Sequence, residues 1–290
     1  MTTFCEHKAM VFTDLDGSLL DHHSYAFAAA LPAISELARQ SIPLVLCSSK
    51  TRAEMEQIRA RLDNSDPFIV ENGAAIFVPQ AWLDGAFSVF VSATEHANIE
   101  HKDGYLVHAT SDTRARWLAV LNVLQTEYGG EFDCFNHMGV EGIVALTGLS
   151  EEEAALANQR EFSEPVHWHG SDQRRDAFVA ELESHGATVA QGGRFLGVTG
   201  PCDKGKALQW LADATATCLG CEHLDTLAIG DSGNDVPMLE VAGTALVIRS
   251  PVHEFPPLAR GLGVGVMHSD KPGPDGWNEG VMTWLQERSS

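Results

Sequence analysis

Two aspartates that lie two positions apart, Asp14 and Asp16, directly follow the apolar run 9–12. An unbroken apolar run of this length is typical of a strand buried in a parallel sheet. Ligands bind at the carboxyl ends of such strands, and residues two apart on extended backbone project to the same side, so both carboxylates can address one substrate atom. The alternative is an ordinary solvated Asp-Gly turn at 16–17, since such pairs are common in loops.

The same plan recurs near the end of the chain, where Asp231 and Asp235 follow the apolar run 227–229 in the segment Gly-Asp-Ser-Gly-Asn-Asp. Four carboxylates at the strand ends of one sheet repel one another unless a cation neutralises them. Hard oxygen ligands with room for water and phosphate oxygens are typical of Mg²⁺ sites. The competing interpretation of this segment is a plain strand-to-helix turn with an Asp as the helix N-cap.

Two further segments carry groups that suit a phosphate. A hydroxyl-rich stretch, Ser48-Ser49, ends the apolar run 42–47, and its hydroxyl and backbone N–H groups could hold a phosphoryl oxygen. Lys204 precedes a glycine at the start of a helical pattern, where it could act as a point charge on the phosphate. Ser49 could equally be a plain helix cap, and the nearby Lys50 and Arg52 could be solvated surface charges.

In this order the motifs 14–18, Ser48, Lys204 and 230–235 resemble those of the haloacid dehalogenase-like phosphatases. The long insert between the second and third motifs is similar to that of the type IIB subgroup, whose cap domain lies there. A finer resemblance, to the mannosyl-3-phosphoglycerate phosphatase family, runs over nearly the whole chain. The segments that carry it are 11–23, 47–52, 67–76, 160–165 and 192–195.

The chemistry of a phosphate monoester suggests a role for each aspartate of the first motif. Asp14 would attack phosphorus in line and form an aspartyl-phosphate, which splits one difficult hydrolysis into two easier steps. Asp16 would protonate the departing alkoxide and then take a proton from the water that releases phosphate. The two roles could be exchanged, but the order in the family favours the first aspartate as nucleophile. The resemblance implies that Asp14, Asp231 and the backbone carbonyl of Asp16 ligate Mg²⁺, and that Ser48 and Lys204 hold the phosphoryl oxygens. Asn234 and Asp235 would support these groups from behind the ligands.

Composition limits the classes of partner. The 290 residues include 19 basic and 40 acidic ones, and the formal charge of −21 argues against nucleic-acid binding. An anionic substrate then needs a local cationic pocket, for which the candidates are Lys50, Arg52, Arg194 and Lys204. Without a 20-residue apolar stretch or a signal-peptide pattern at its start, the chain is expected to be cytoplasmic and to bind no membrane.

Alternating strand and helix patterns predict an α/β fold: a Rossmann-like parallel-sheet hydrolase core with an inserted α+β cap domain. The core would comprise residues 1–85 and 201–290, and the cap residues 86–200. An Asn-Gly pair at 72–73 predicts a hairpin in the first half of the core. Within the cap we expect strands at 88–92, 105–108, 142–146 and 194–199, and helices at 113–128, 151–160 and 174–185.

The leaving group of the substrate would meet the cap, so specificity is expected there. Arg160 and Ser163 could bind the carboxylate or a hydroxyl of a glycerate, and Arg194 could reach the same carboxylate. Alternatively, Arg160 is a solvated charge near a helix end and Arg194 packs only on the cap surface. The resemblance thus predicts Mg²⁺-dependent hydrolysis of mannosyl-3-phosphoglycerate, a phosphorylated sugar-glycerate, in the synthesis of the compatible solute mannosylglycerate. The alternatives are a glucosyl-3-phosphoglycerate or general sugar phosphatase, a sugar phosphomutase and a non-catalytic binding protein.

Overall fold

The computed structural model describes residues 8–83, 86–94, 99–192, 194–260 and 265–288. Its strands are, in chain order, β1 (Ala9–Thr13), β2 (Leu44–Cys47), β3 (Phe68–Val70), β4 (Ala75–Pro79), β5 (Ile99–Lys102), β6 (Tyr105–Ala109), β7 (Phe132–Cys134), β8 (Glu164–Trp168), β9 (Thr188–Gln191), β10 (Leu196–Thr199), β11 (Asp225–Gly230), β12 (Thr244–Arg249) and β13 (Val266–Pro272). Its α-helices are α1 (Leu31–Arg39), α2 (Arg52–Leu62), α3 (Gln80–Leu83), α4 (Phe87–Ala93), α5 (Arg114–Tyr128), α6 (Phe135–Thr147), α7 (Glu151–Ala157), α8 (Asp172–Ser184), α9 (Lys204–Cys218), α10 (Val236–Val241) and α11 (Gly273–Arg288).

The chain divides into two compact units. Unit 1 comprises Met1–Ser48, Asn64–His108 and Asp203–Ser290, and unit 2 comprises Ser49–Asp63 and Ala109–Cys202. The sequence-based domain limits, 86 and 200, remain a proposal, and residues 84 and 85, at which the first limit falls, lie outside the described ranges.

Unit 1 contains a nine-stranded sheet in the order β13-β12-β11-β1-β2-β3-β4-β6-β5. The strands from β13 to β3 pair in parallel, whereas β4 pairs antiparallel with β3 and β5 antiparallel with β6. β1 is buried along its whole length, as expected for a central strand that is covered on both faces. This sheet confirms the predicted α/β, Rossmann-like core.

The strand registers bring the sequence motifs to one edge of this sheet. Thr13, the last residue of β1, is opposite Leu46 of β2 and Ile229 of β11. Because all three strands run in parallel, the residues that follow them emerge at the same edge. Asp14, Ser48 and Asp231 are therefore neighbours, as the sequence predicted.

The helix α11 packs against the end of β1 and supports that edge of the sheet. Its Trp277 is fully buried, and the indole Nε1 donates to the Thr13 hydroxyl over 2.9 Å. The hydroxyl in turn donates to the carbonyl oxygen of Asp14 over 2.8 Å. A buried aromatic side chain with a satisfied N–H group thus supports the turn that begins at Asp14.

Unit 2 contains a four-stranded antiparallel sheet in the order β7-β8-β10-β9. Its core is built around Trp117 of α5 and Phe178 of α8, both fully buried, with the aromatic side chains Tyr128 and Phe132 beside Phe178. The helix α2 also belongs to unit 2, although it follows directly on a strand of unit 1. This small sheet and its helices confirm the predicted α+β character of the insert.

Several expected elements are present and two are wrong. The hairpin at 72–73 joins the antiparallel strands β3 and β4. The strands expected at 105–108 and 194–199, and the helices expected at 113–128, 151–160 and 174–185, are present with shifted ends. The segment 88–92, expected as a strand, is helical in α4, because Phe90 buries itself against Trp210 of α9 and packing overrides the β propensity of its Val and Phe residues.

The segment 142–146, also expected as a strand, lies in α6. Val140, Ile143 and Val144 pack into one cluster, and a spacing of three and four is that of a helix face. The short apolar run around them was ambiguous taken alone. Within the part of the chain that the structure describes, no helix is both long and apolar enough to cross a bilayer.

Candidate active site

The carboxylate of Asp14 lies at the end of β1 and is only 6% exposed. Its backbone N–H continues the sheet by donating to the carbonyl oxygen of Ile229 over 2.8 Å. The side-chain oxygen Oδ1 accepts a 2.6 Å hydrogen bond from the Nζ atom of Lys204. Two motifs that are 190 positions apart in the sequence therefore meet in one buried ion pair.

Lys204 is fully buried on the first turn of α9, where Asp203 is the N-cap and accepts from the backbone N–H of Lys206. Its ammonium group also donates to Oδ1 of Asp235 over 2.7 Å. Burial disfavours the charged form, but the carboxylates of Asp14 and Asp235 outweigh it and raise the pKa of Lys204 above its ordinary value. The two carboxylates thus favour the charged form of this buried lysine.

Asp235 links the lysine to the loop that follows β11. While Oδ1 binds Lys204, Oδ2 accepts from the backbone N–H groups of Asp231 and Ser232, each over 3.0 Å. Both oxygens of this fully buried carboxylate therefore have partners. The arrangement fits a residue that fixes the loop and orients Asp231.

Three carboxylates offer a site for a cation. Ligand oxygens of Asp14, Asp231 and Asp235 lie within 4.8 Å of one another, and all three residues are buried. Burial first, and then the charge of Asp235, raises the pKa of Asp14 and of Asp231. A divalent cation would favour their charged forms, and such an all-oxygen donor set suits Mg²⁺.

Gly17 permits the close approach of the first and last motifs. Its φ is +84°, and a Cβ atom at this position would lie 2.7 Å from Oδ2 of Asp231. Only a glycine accommodates both the left-handed backbone and that contact. Asp16, the residue before it, is half-buried, and its charge acts on the carboxyl of Asp14.

Ser48 and Asn234 are connected through the hairpin loop of β3 and β4. Ser48 is 1% exposed, its N–H donates to Ile69 O and its carbonyl oxygen accepts from Asn72 N, each over 3.0 Å. The Asn72 side-chain oxygen accepts from Nδ2 of Asn234 over 3.1 Å. The adjacent Gly73, at φ +93°, would place a Cβ 2.2 Å from Asp203 O, so its backbone packs directly against the start of α9. One loop therefore contacts three of the four motifs.

The three candidate specificity residues all lie in unit 2. Arg160 Nε donates to the hydroxyl of the buried Ser163 over 3.0 Å, and Arg160 Nη2 donates to Ser49 O over 2.9 Å. The exposed Arg194 donates to the carbonyl oxygen of Leu146 over 2.7 Å, in the last turn of α6. The structure thus joins Arg160 to Ser163 and shows Arg194 stabilising a helix end.

Of the candidate cations, Lys204 bonds to Asp14, and the contacts of Arg52 and Lys50 lie within unit 2. The Nε atom of Arg52 donates to Glu161 over 2.8 Å, and its Nη1 atom is 3.5 Å from Glu56. Lys50 is half-buried, and its charge acts on Glu153 of α7.

Sequence reasoning missed one residue at the edge of the carboxylate cluster. Nε2 of His253, in the loop after β12, lies 3.5 Å from Oδ2 of Asp231, and 41% of the His253 side chain is exposed. The only signal available was its position after a late strand of the sheet, since loops at that edge converge on the ligand site.

A parallel sheet that carries carboxylates and a buried lysine where its strands end has the architecture of an α/β enzyme. The sequence profile of the haloacid dehalogenase-like hydrolases matches residues 11–84 and 169–254. The chain is 35% identical over 291 aligned positions to a glucosyl-3-phosphoglycerate/mannosyl-3-phosphoglycerate phosphatase of Methanococcoides burtonii, an alignment that covers 98% of this chain and 99% of the relative. The chain therefore belongs to the haloacid dehalogenase-like hydrolases.

Solved structures show the same fold. A Thermoplasma acidophilum protein superposes with a TM-score of 0.62 at 15% identity over 97% of this chain and 98% of its own. A haloacid dehalogenase-like hydrolase from B. subtilis does so with a TM-score of 0.53 at 18% identity, over 82% of this chain and 88% of its own. These structures show the fold alone, whereas the family and the full-length relative confirm an enzyme of the phosphoric monoester hydrolase type.

Proposed function

We propose that this phosphoric monoester hydrolase is a Mg²⁺-dependent phosphatase that converts mannosyl-3-phosphoglycerate to mannosylglycerate and phosphate. The observation that carries the proposal is the full-length likeness to a phosphatase named for the glucosyl and mannosyl compounds, on a chain in which Asp14 and Lys204 form a buried pair. The reaction would belong to compatible-solute synthesis in the cytoplasm.

In the first step Asp14 would attack phosphorus. A bond forms between a carboxylate oxygen and phosphorus while the bond from phosphorus to the oxygen of the glycerate breaks. Asp16 gives its proton to that departing oxygen, so the leaving group departs as an alcohol. The product of this step is an aspartyl-phosphate on Asp14.

In the second step water releases the phosphate. The carboxylate of Asp16 takes a proton from the attacking water, the bond between phosphorus and Asp14 breaks, and inorganic phosphate forms. Both aspartates are then back in their starting states. Asp16 is half-buried and Asp14 is buried, and partial exposure suits a group that exchanges protons with a leaving group and with water.

Lys204 and Ser48 would hold the phosphoryl oxygens during both steps. Lys204 already carries a positive charge within 2.6 Å of an Asp14 oxygen, so it needs no proton transfer to act. A fixed charge in a buried site stabilises the developing negative charge more strongly than a solvated one does. Ser48 would add a hydroxyl at the neighbouring strand end.

A bound Mg²⁺ would offset the charge of the phosphate ester, so that an anionic carboxylate can approach it. Asp14, Asp231 and the backbone carbonyl of Asp16 would hold the ion. Asp235, whose oxygens bind Lys204 and the Asp231–Ser232 backbone, would position the ligands together with Asn234.

Specificity for the glycerate would lie in unit 2. Arg160 and Ser163 are joined by a hydrogen bond, and a guanidinium beside a hydroxyl suits a carboxylate with a neighbouring oxygen. We propose Arg194 as a further contact, which would have to leave the carbonyl oxygens at the end of α6 to reach a substrate.

The test is phosphate release from mannosyl-3-phosphoglycerate, glucosyl-3-phosphoglycerate and simple sugar phosphates, with and without Mg²⁺. Asp14→Asn removes the attacking carboxylate and should lower release by at least about 10⁴-fold, since a variant lacking the nucleophile loses most of the catalysed rate. Asp213→Asn, the same change at an exposed position of α9, is the matched control and should leave the rate unaltered.

Each outcome decides a different part of the proposal. Preference for the glucosyl compound would show that the sugar is glucose rather than mannose. Equal turnover of simple sugar phosphates would show that the enzyme does not require the glycerate. Transfer of phosphate to a second sugar hydroxyl without release would indicate a phosphomutase. Binding without turnover would indicate a non-catalytic protein and overturn the mechanism.

A further inference from the structure

The segment that directly follows Ser48 makes polar contacts with one distant stretch of unit 2. Arg160 donates to Ser49 O, and the Thr51 hydroxyl donates to Leu156 O over 3.0 Å. Arg52 Nε donates to Glu161 over 2.8 Å. Three of the four residues from 49 to 52 are thus bonded to residues 156–161, more than a hundred positions later in the chain.

The stretch that receives these contacts is itself firmly held. The Glu161 carbonyl oxygen accepts from the backbone N–H of Arg114 over 2.7 Å, at the start of α5. The carbonyl oxygen of the next residue, Phe162, accepts from the indole of the fully buried Trp117 over 3.0 Å. Glu161 is therefore fixed from behind by α5 and can act as an anchor for Arg52.

The ion pair between Arg52 and Glu161 is less exposed to solvent than a typical surface pair. Both side chains are only 22% exposed, so solvent screens their attraction incompletely. Arg52 also contacts Glu56 on its own helix, but at 3.5 Å and with a Glu56 side chain that is 41% exposed. Glu56 therefore serves as a control for Glu161, because both carboxylates contact the guanidinium of Arg52.

The backbone of Ser48 is fixed on its other side by unit 1. Its N–H and carbonyl groups bond to Ile69 and Asn72, whereas Ser49, the next residue, begins the part of the chain that packs in unit 2. Ser49 is joined to Ser48 by a planar peptide bond, so the contacts that hold residues 49–52 restrict the backbone next to the Ser48 hydroxyl.

We propose that Glu161, through Arg52, is a positioning residue for the phosphoryl-binding hydroxyl of Ser48. This inference rests on the proposed function, since it assumes that Ser48 holds a phosphoryl oxygen. Glu161 does not touch the substrate. It holds Arg52 at the start of α2, and the segment from Ser49 to Arg52 follows Ser48 directly in the chain. A misplacement of about 1 Å at a reacting group costs on the order of a hundredfold in rate, so a partial loss of this support is expected to cost about tenfold.

The experiment compares Glu161→Gln with Glu56→Gln in the full chain, using p-nitrophenyl phosphate with Mg²⁺. This substrate carries neither glycerate nor sugar, so its turnover reports the phosphoryl group alone. Glu161→Gln should lower kcat about tenfold and weaken competitive inhibition by inorganic phosphate severalfold. Glu56→Gln should change both by less than about twofold, as is usual for an exposed ion pair.

Two further variants separate positioning from folding. Glu161→Asp retains the charge and should recover part of kcat. In Arg52→Gln/Glu161→Gln, the loss in kcat should be no greater than in Glu161→Gln alone, because both changes remove the same contact. A variant that melts at the wild-type temperature and still shows the loss has lost positioning rather than structure.

The results distinguish this inference from the proposed function. If neither the wild type nor Glu56→Gln releases phosphate from any substrate, the proposed function fails. If the wild type is active and Glu161→Gln matches it in kcat and in phosphate inhibition, the positioning role is overturned. Additive losses in the double variant would overturn it as well.

Discussion

Replacement of Lys204 by methionine tests the buried charge cluster directly. The change keeps an unbranched side chain of similar length but removes the ammonium group that bonds to Asp14 over 2.6 Å and to Asp235 over 2.7 Å. Two buried carboxylates are then left without their cation. Loss of one partner from a buried ion pair destabilises a protein by about 3–5 kcal/mol, mainly because the remaining charge stays desolvated.

The expected loss is large enough to see in a thermal melt. At about 2–4 °C per kcal/mol for chains of this order of size, the melting temperature should fall by roughly 6–20 °C. The pKa of Lys204 is raised, so the stabilisation from its own charge is complete below 10.5, the ordinary lysine value, and is lost only as the pH rises beyond that through the folded-state pKa. A measurement at pH 7 in EDTA therefore compares a charged lysine with an uncharged methionine.

Lys206→Met is the control, because Lys206 lies on the same turn of α9 with 60% of its side chain exposed and pairs with Asp203 at 3.4 Å. It should cost less than about 0.5 kcal/mol. Adding Asp235→Asn to Lys204→Met should restore stability, since one uncompensated charge disappears, but should not restore phosphate release. A Lys204→Met variant that melts like the wild type, or a double variant no more stable than the single one, would show that Lys204 does not compensate these two buried charges.

Two other predictions concern backbone contact and net charge. Gly17→Ala should lower both phosphate release and stability, the latter by about 1–3 kcal/mol. Gly130→Ala should show the cost of the backbone angle alone, because Gly130 has a similar φ of +86° and a Cβ added there would have no neighbour within 4 Å. Equal effects of the two changes would contradict the role of the Asp231 contact. With a formal charge of −21, the chain should melt at a higher temperature as KCl shortens the Debye length from about 30 Å at 0.01 M to about 3 Å at 1 M. A flat or falling salt profile, measured by calorimetry, would count against this self-repulsion.

Local sequence signals predicted the residues that the sheet brings together. Asp14, Ser48 and Asp231 each follow an apolar run, and the parallel register alone makes them neighbours. The motifs identified Lys204, Asp14 and Asp235 as candidates, but they did not predict that Lys204 bonds to both aspartates.

The failures have a common physical cause. The segments 88–92 and 142–146 are short apolar runs, in which helix and strand periods cannot be told apart. Tertiary packing makes both of them helical. The sequence also did not predict that Arg52 donates to Glu161 and Arg160 to Ser49, across 109 and 111 positions. Contacts over such separations leave no local pattern.

The order of the strands in the large sheet has a consequence for synthesis on the ribosome. The central strand β1 is made early and meets β2 soon afterwards, but its other neighbour, β11, and the cation for Asp14 come from residues near and beyond 204. At about 5–20 residues per second, the 190 positions between Asp14 and Lys204 take roughly 10–40 s to translate. All of unit 2 is translated before Lys204, so the chain order lets the four-stranded sheet form first, while β1 still has an open edge and Asp14 lacks its lysine.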